Sequence, residues 1–209
     1  MNWQLIQKDA ARQPPTGSYS DWKEVIASEC NGQCVYCSLH EAQCGLDNFH
    51  VEHFRPKSRP EFEHLANDIL NLFLACPICN RFKSNDWPNE PDLDVISYPD
   101  PSVHNYSDLF DVNSNYEVEG KYVASRYLTE RLLLNRAQLI MERREDYNCF
   151  YLSELLRSVK AIVDEIAAKG MSVEMSIVQS IVNISTNNAN LNLRRRTTPL
   201  YALRDVRRK

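Results

Sequence analysis

The sequence predicts an α+β chain, mostly helical, in which a small zinc-stapled module is followed by a helical extension. Three observations carry that expectation. Two Cys-x-x-Cys pairs, Cys34/Cys37 and Cys76/Cys79, stand 38 residues apart. That gap exceeds the ~15–20 residues of a simple zinc ribbon, so a folded unit has to lie between the knuckles. Short extended runs at His50–Phe54 and Leu70–Ala75 lie inside the gap. From Thr129 to Ala168 the apolar residues then recur at helical spacing.

Five segments follow in order. Residues 1–29 form an N-terminal helical segment, with Ser20-Asp21 as the cap of a helix over Trp22–Ala27. Residues 30–88 form the metal-bearing module, in which Leu70–Ala75 runs into the second knuckle and Asn80–Ser84 opens a short helix. Residues 89–125 are a link punctuated by Pro91, Pro99 and Pro101, and Tyr116–Val123 alternates around Gly120 as a hairpin would. Residues 126–190 are the helical extension, interrupted near Asn135 and Asn148 and stopped at Gly170, with a further helix over Val173–Ile184. Residues 191–209 are a basic tail in which Leu200, Tyr201 and Leu203 interleave with arginines.

Composition narrows the function. The chain has 209 residues and a net charge of −4, but residues 191–209 carry +6, which leaves −10 on the rest. An acidic body binds nucleic acid only through local cations, and it suits a protein partner. Between His53 and Lys83, Arg55, Lys57, Arg59, Arg81 and Lys83 outnumber the acidic residues. The run Met1–Lys8 lacks the pattern of a secretory leader, and no stretch approaches the ~18 apolar residues of a membrane span. A cytoplasmic protein is expected. There, seven cysteines imply metal ligation and free thiols rather than disulfides. Cys30, Cys44 and Cys149 read as buried thiols, and Cys34, Cys37, Cys76 and Cys79 as a structural zinc site.

Glu52-His53-Phe54-Arg55-Pro56, then Asn71–Cys76, then Cys76-Pro77-Ile78-Cys79-Asn80-Arg81-Phe82-Lys83 together resemble the HNH (ββα-metal) nuclease family, over residues 30–88. The resemblance implies a metal-dependent endonuclease acting on DNA, with RNA also open. By position, Glu52 and Asn80 hold Mg2+ or Mn2+, His53 is the general base, and Asn71 pins the loop that orients it. Family members commonly carry Asp where this chain has Glu52. The chemistry agrees: a neutral imidazole takes a proton from water near neutral pH, and oxygen ligands suit a hard cation. Asn80 and Lys83 are three apart on a helix and share a face, which makes Lys83 a phosphate contact, with Arg81, Arg55 and Lys57 the next candidates. Adjacent strand residues face opposite ways, so the strand has to bend or end for Glu52 and His53 to serve one phosphate.

The runs VEHFRPK and NLFLACPICNRFKSN, with Leu134-Asn135-Arg136 and Glu142-Arg143-Arg144, also look like the PtuB subfamily of HNH proteins, the nuclease subunits of Septu-type anti-phage systems. That likeness implies an ABC-type ATPase partner, PtuA, and in retron-linked systems a reverse transcriptase and its msDNA. A second reading is a catalytically silent zinc-binding adaptor that recruits nucleic acid or a protein.

Overall fold

The structure, a computed structural model, describes residues 3–41, 48–170 and 174–197, and side chains outside 175 and 188–197. It is an α+β fold, with helices dominating two small two-stranded sheets. The expectations for Cys44, for the tail from 198 to 209 and for the side chains of Arg194–Arg196 lie outside the described residues.

Helix α1 (Lys23–Glu29) is followed by strand β1 (His50–His53), strand β2 (Leu72–Ala75) and helix α2 (Pro77–Lys83). β1 and β2 pair antiparallel, with His50 opposite Ala75 and His53 opposite Leu72. All four β2 residues are buried, as a strand covered on both faces requires. α2 starts earlier than Asn80: Cys76 caps it and Pro77 opens it, where a missing N–H costs nothing. Asp21 does not cap α1. Trp22 holds that position, and the Asp21 carboxylate instead accepts from the Ser18 N–H at 2.8 Å.

The divisions expected at 29/30 and 88/89 do not separate cores. One buried cluster runs from Trp3, Ile6, Trp22 and Ile26 through Phe54, Phe73 and Trp87 to Leu128 and Leu139. A buried ion pair ties the first residues into it. Lys8 Nζ lies 2.7 Å from Glu29 Oε2, donates to the Leu72 carbonyl and sits 4.6 Å from the centre of the Phe73 ring.

Beyond the module come α3 (Tyr106–Leu109), β3 (Phe110–Val112), β4 (Val118–Gly120), α4 (Val123–Arg131), α5 (Ala137–Ala168) and α6 (Met175–Thr197). The hairpin exists but is displaced from the expected one: β3 pairs with β4, and the turn is Asn113–Glu117. Asn113 Oδ1 accepts from the N–H groups of Asn115 and Glu117, which closes that turn. Gly120 serves packing instead. A Cβ there would lie 2.4 Å from the Arg126 nitrogen, so α4 lies directly against β4.

The break at Asn135 is real. Its amide leaves the helical path to accept from Val118 N at 2.7 Å and donate to Val118 O at 2.9 Å. The break expected at Asn148 is absent, because an exposed Asn costs a long helix only a few tenths of a kcal/mol. Gly170, at φ 71°, stops the chain after α5, and α6 runs further than the expected Ile184.

Candidate active site and metal centre

Two local turns build the thiol cluster. In the first, Ser38 (φ 55°) lets the chain reverse, so that Ser38 N donates to Cys34 O and Cys34 N to Leu39 O, both at 2.8 Å. In the second, Cys76 sits at the start of α2 and its sulfur accepts from Cys79 N at 3.4 Å. The four Sγ atoms of Cys34, Cys37, Cys76 and Cys79 lie within 4.8 Å of one another, all buried. Cys37 and Cys76 are 3.7 Å apart. Zinc–sulfur bonds of about 2.3 Å in a tetrahedron place sulfurs about 3.8 Å apart, so the donor set fits zinc. His40 is not part of the cluster. Cys30 accepts from Leu74 N at 3.3 Å, and burial pushes its thiol up to about 11, so it stays protonated.

A residue from the helical extension closes this centre. Arg136 Nη2 lies 3.7 Å from Cys37 Sγ, 3.9 Å from Cys76 Sγ and 3.8 Å from Cys79 Sγ. Its Nη1 donates to the Leu132 carbonyl at 3.2 Å. Burial disfavours the charge, but the surrounding sulfurs outweigh it and hold the guanidinium protonated. Four thiolates on Zn2+ would carry a net charge of −2, part of which Arg136 would offset.

Next to the cluster, Glu52 and Lys83 form a buried ion pair. Lys83 Nζ lies 2.7 Å from Glu52 Oε1 and donates to the His53 carbonyl at 3.1 Å, and Tyr36 Oη donates to the same carboxylate oxygen at 3.2 Å. Lys83 is 0% exposed, so the expectation that it contacts phosphate is corrected. The helix face it shares with Asn80 turns inward at that end. Burial pushes the Glu52 carboxyl up, and Lys83 and Tyr36 only partly hold it down. Both partners grip Oε1. The other oxygen, Oε2, is the one left for a cation to use.

β1 ends at His53, as the adjacency of Glu52 and His53 requires. Glu52 turns toward Tyr36 and Lys83, and His53 toward Tyr19 and the loop. His53 Nε2 lies 3.0 Å from the Ala66 carbonyl. A carbonyl only accepts, so Nε2 carries the proton and Nδ1 of the neutral ring keeps its lone pair. Burial first, then the charges of Lys57 and Lys83, lower His53 to about 4 against the opposing pull of Ala66. The ring is therefore neutral, and able to accept a proton, at any pH near 7.

Asn71 is 3% exposed and spends its amide on the loop: Oδ1 accepts from Arg55 N at 2.8 Å and Nδ2 donates to Arg55 O at 3.0 Å. Asn80, half-buried on α2, has no side-chain hydrogen bond to the described residues. Glu52, His53, Asn80 and Lys57 line one open cleft of about 770 Å³, together with the exposed His50. Arg55 and Arg81 do not line it. Arg55 is paired with Glu90 at 2.8 Å and lies over Trp87, while Arg81 is exposed beside Phe82. Sequence reading missed three contributors: Tyr36 on Glu52, Arg136 on the sulfurs, and Tyr19 on His53. Arg136 alone had a signal, since it stands in one of the runs that carried the subfamily likeness.

Residues 34–86 match the HNH endonuclease family model. The HNH match spans both cysteine pairs, β1, the loop, β2 and all of α2, and so takes in the cleft and the thiol cluster together. It supports nuclease activity in general and a metal-binding module with a cysteine zinc site. Neither the curated proteins nor the solved structures yield a match to this chain. No helix among the described residues is long and apolar enough to cross a membrane.

Proposed function

We propose that this chain is a metal-dependent HNH endonuclease that hydrolyses phosphodiester bonds, with DNA the first substrate to test and RNA the second. The observation that carries the reading is the meeting of three groups in one cleft: a buried carboxylate, a neutral histidine with its Nε2 tied back, and an amide with no described partner. His53 Nδ1 takes the proton of the attacking water as its oxygen bonds to phosphorus, and the bond to the leaving oxygen breaks. Glu52 and Asn80 would hold Mg2+ or Mn2+, which supplies Lewis-acid stabilisation of the phosphate charge. Asn71 keeps the loop closed, and Lys57 faces the strand. A silent adaptor has no use for a neutral histidine that meets a buried carboxylate and an amide with no described partner in one cleft. In the test, His53→Ala, folded and zinc-loaded, loses on the order of 10²–10⁴ in cleavage rate. Unchanged cleavage by that variant refutes the mechanism.

The chain further reads as the effector of an anti-phage complex with an ATPase of the PtuA type, alone or with a retron reverse transcriptase and its msDNA. The subfamily likeness and the acidic body support this, as does an apolar row on α5 in which Tyr147, Phe150, Tyr151 and Leu155 are about half exposed or more. A soluble helix normally buries such a row. By the same reading, residues 30–88 cleave and the segment beyond residue 125 docks. Phe150→Glu in the full chain should then lose the ATPase on co-purification while keeping its zinc. Retained ATPase would place the docking surface elsewhere.

A further inference from the structure

The cleft has a wall that the HNH signature does not contain. It comes from residues 13–23, ahead of the first cysteine, and its central side chain is Tyr19. The Tyr19 ring meets the His53 imidazole edge-on, with centroids 4.6 Å apart. Lys57 Nζ lies 3.8 Å from the centre of the same ring and donates to its hydroxyl. Tyr19, Ser20 and Lys23 all line the cleft with Glu52, His53 and Asn80.

The same segment braces the loop that orients His53. Tyr19 N donates to Asn67 Oδ1 at 2.9 Å. Gln13 spans the loop, donating to Asn67 O at 3.0 Å and accepting from Ile69 N at 2.9 Å. Ala66, the neighbour of Asn67, supplies the carbonyl that receives His53 Nε2. The contacts close a ring: Tyr19 holds Asn67, Ala66 holds His53, and His53 packs on Tyr19. Trp22, buried and donating to Thr16 O at 2.8 Å, anchors the segment behind it.

We propose that Tyr19 is a positioning residue of this cleft: its ring fixes the His53 imidazole, and its hydroxyl holds the Lys57 ammonium where a phosphate of the bound strand arrives. The inference rests on the nuclease reading for its consequence in catalysis, but its geometric half does not. A lysine on an exposed surface samples many rotamers, and holding it in one lowers the entropy lost when phosphate binds. An aromatic edge against a histidine ring removes rotations that would carry Nδ1 away from the water.

The test uses the full zinc-loaded chain with Tyr19→Phe, Tyr19→Leu and Lys57→Met. Probes are a labelled DNA duplex, its single strands and an RNA of the same sequence. Tyr19→Phe keeps the ring and removes the hydroxyl that accepts from the lysine, so KM rises severalfold while kcat holds within about twofold. Tyr19→Leu lowers kcat by about tenfold or more, since reacting-group misplacement is costly. Lys57→Met flattens the log–log salt dependence of binding by about one contact, and the effects of Tyr19→Phe and Lys57→Met on KM are not additive. The independent readout is the His53 ring-proton shift by NMR, which loses the Tyr19 ring current in Tyr19→Leu and keeps it in Tyr19→Phe. A wild-type chain that cleaves nothing, alone or with its partner, defeats the nuclease reading, while the NMR shift still decides the packing. Wild-type kcat and an unmoved His53 shift in Tyr19→Leu overturn the proposal. Should Tyr19→Leu not fold, wild-type KM in both Tyr19→Phe and Lys57→Met overturns it.

Discussion

Arg136→Met should loosen the zinc centre although Arg136 is not a ligand. Methionine keeps much of the side-chain length and removes the charge and all the donors. The variant loses contacts to three sulfurs between 3.7 and 3.9 Å and the donation to Leu132 O. Two unit charges about 4 Å apart interact by about 4 kcal/mol at an effective dielectric constant of 20. Burying the guanidinium cancels part of that, so the net effect is smaller. Loss of an outer partner of a metal site typically costs about 10–100-fold in affinity, or about 1.4–2.8 kcal/mol. The expected order of zinc affinity is wild type, then Arg136→Lys, then Arg136→Met. Lysine retains the charge but cannot span three sulfurs. Competition against chelators of graded strength, on the full chain, reads the affinity directly. Amide exchange over residues 132–140 should rise in the same order, because Arg136 also starts α5. Wild-type zinc affinity in Arg136→Met would refute the reasoning and leave the sulfur contacts as packing alone.

Lys83→Met strands the Glu52 carboxylate in a buried site, a change that costs about 3–5 kcal/mol when one partner of a buried pair is removed. Urea unfolding should show that loss, with magnesium restoring part of it through the freed carboxylate, and an unchanged midpoint would dismiss the pair as structurally idle. Cys79→Ser should release zinc and destabilise the module, whereas Glu52→Ala should keep zinc and lose divalent-dependent cleavage; zinc content by mass spectrometry of the metal tells them apart, and the reverse pattern would mean the two metals are assigned the wrong way round. With His53 lowered to about 4 from an ordinary 6.5, the acid limb of cleavage should lie near pH 4 rather than 6.5. The same depression makes the histidine's contribution to stability complete above about pH 6.5 and lost as pH falls from there toward 4, because the unfolded chain binds the proton first. A limb centred at 6.5 would show His53 to be solvated rather than walled.

The cysteine cluster, the two strands and the helix after the second knuckle were all legible in the chain. Their determinants are local: two residues between ligand cysteines set a knuckle, and the helix after the second was expected from Asn80, three residues later than Pro77, where it opens. The stop at Gly170 was legible for the same reason, and the break at Asn135 was legible as a pattern although its amide is held by Val118, 17 positions away. What a local pattern does not say is which way a face turns. The three-residue spacing of Asn80 and Lys83 puts them on one face, yet burial sends Lys83 inward to Glu52 and leaves Asn80 on the cleft. Arg55 stood in the right motif and went to Glu90, 35 positions on. The hairpin moved because Gly120 marks where α4 packs, rather than a turn. Arg136 reaches Cys79 across 57 positions, and Tyr19 reaches His53 from ahead of both knuckles. The sequence by itself determined the four-cysteine donor set and the order of the elements, since short-range spacing encodes both. Only the tertiary structure decided which charges line the cleft and which neutralise one another, because that depends on burial and on partners far apart in the chain.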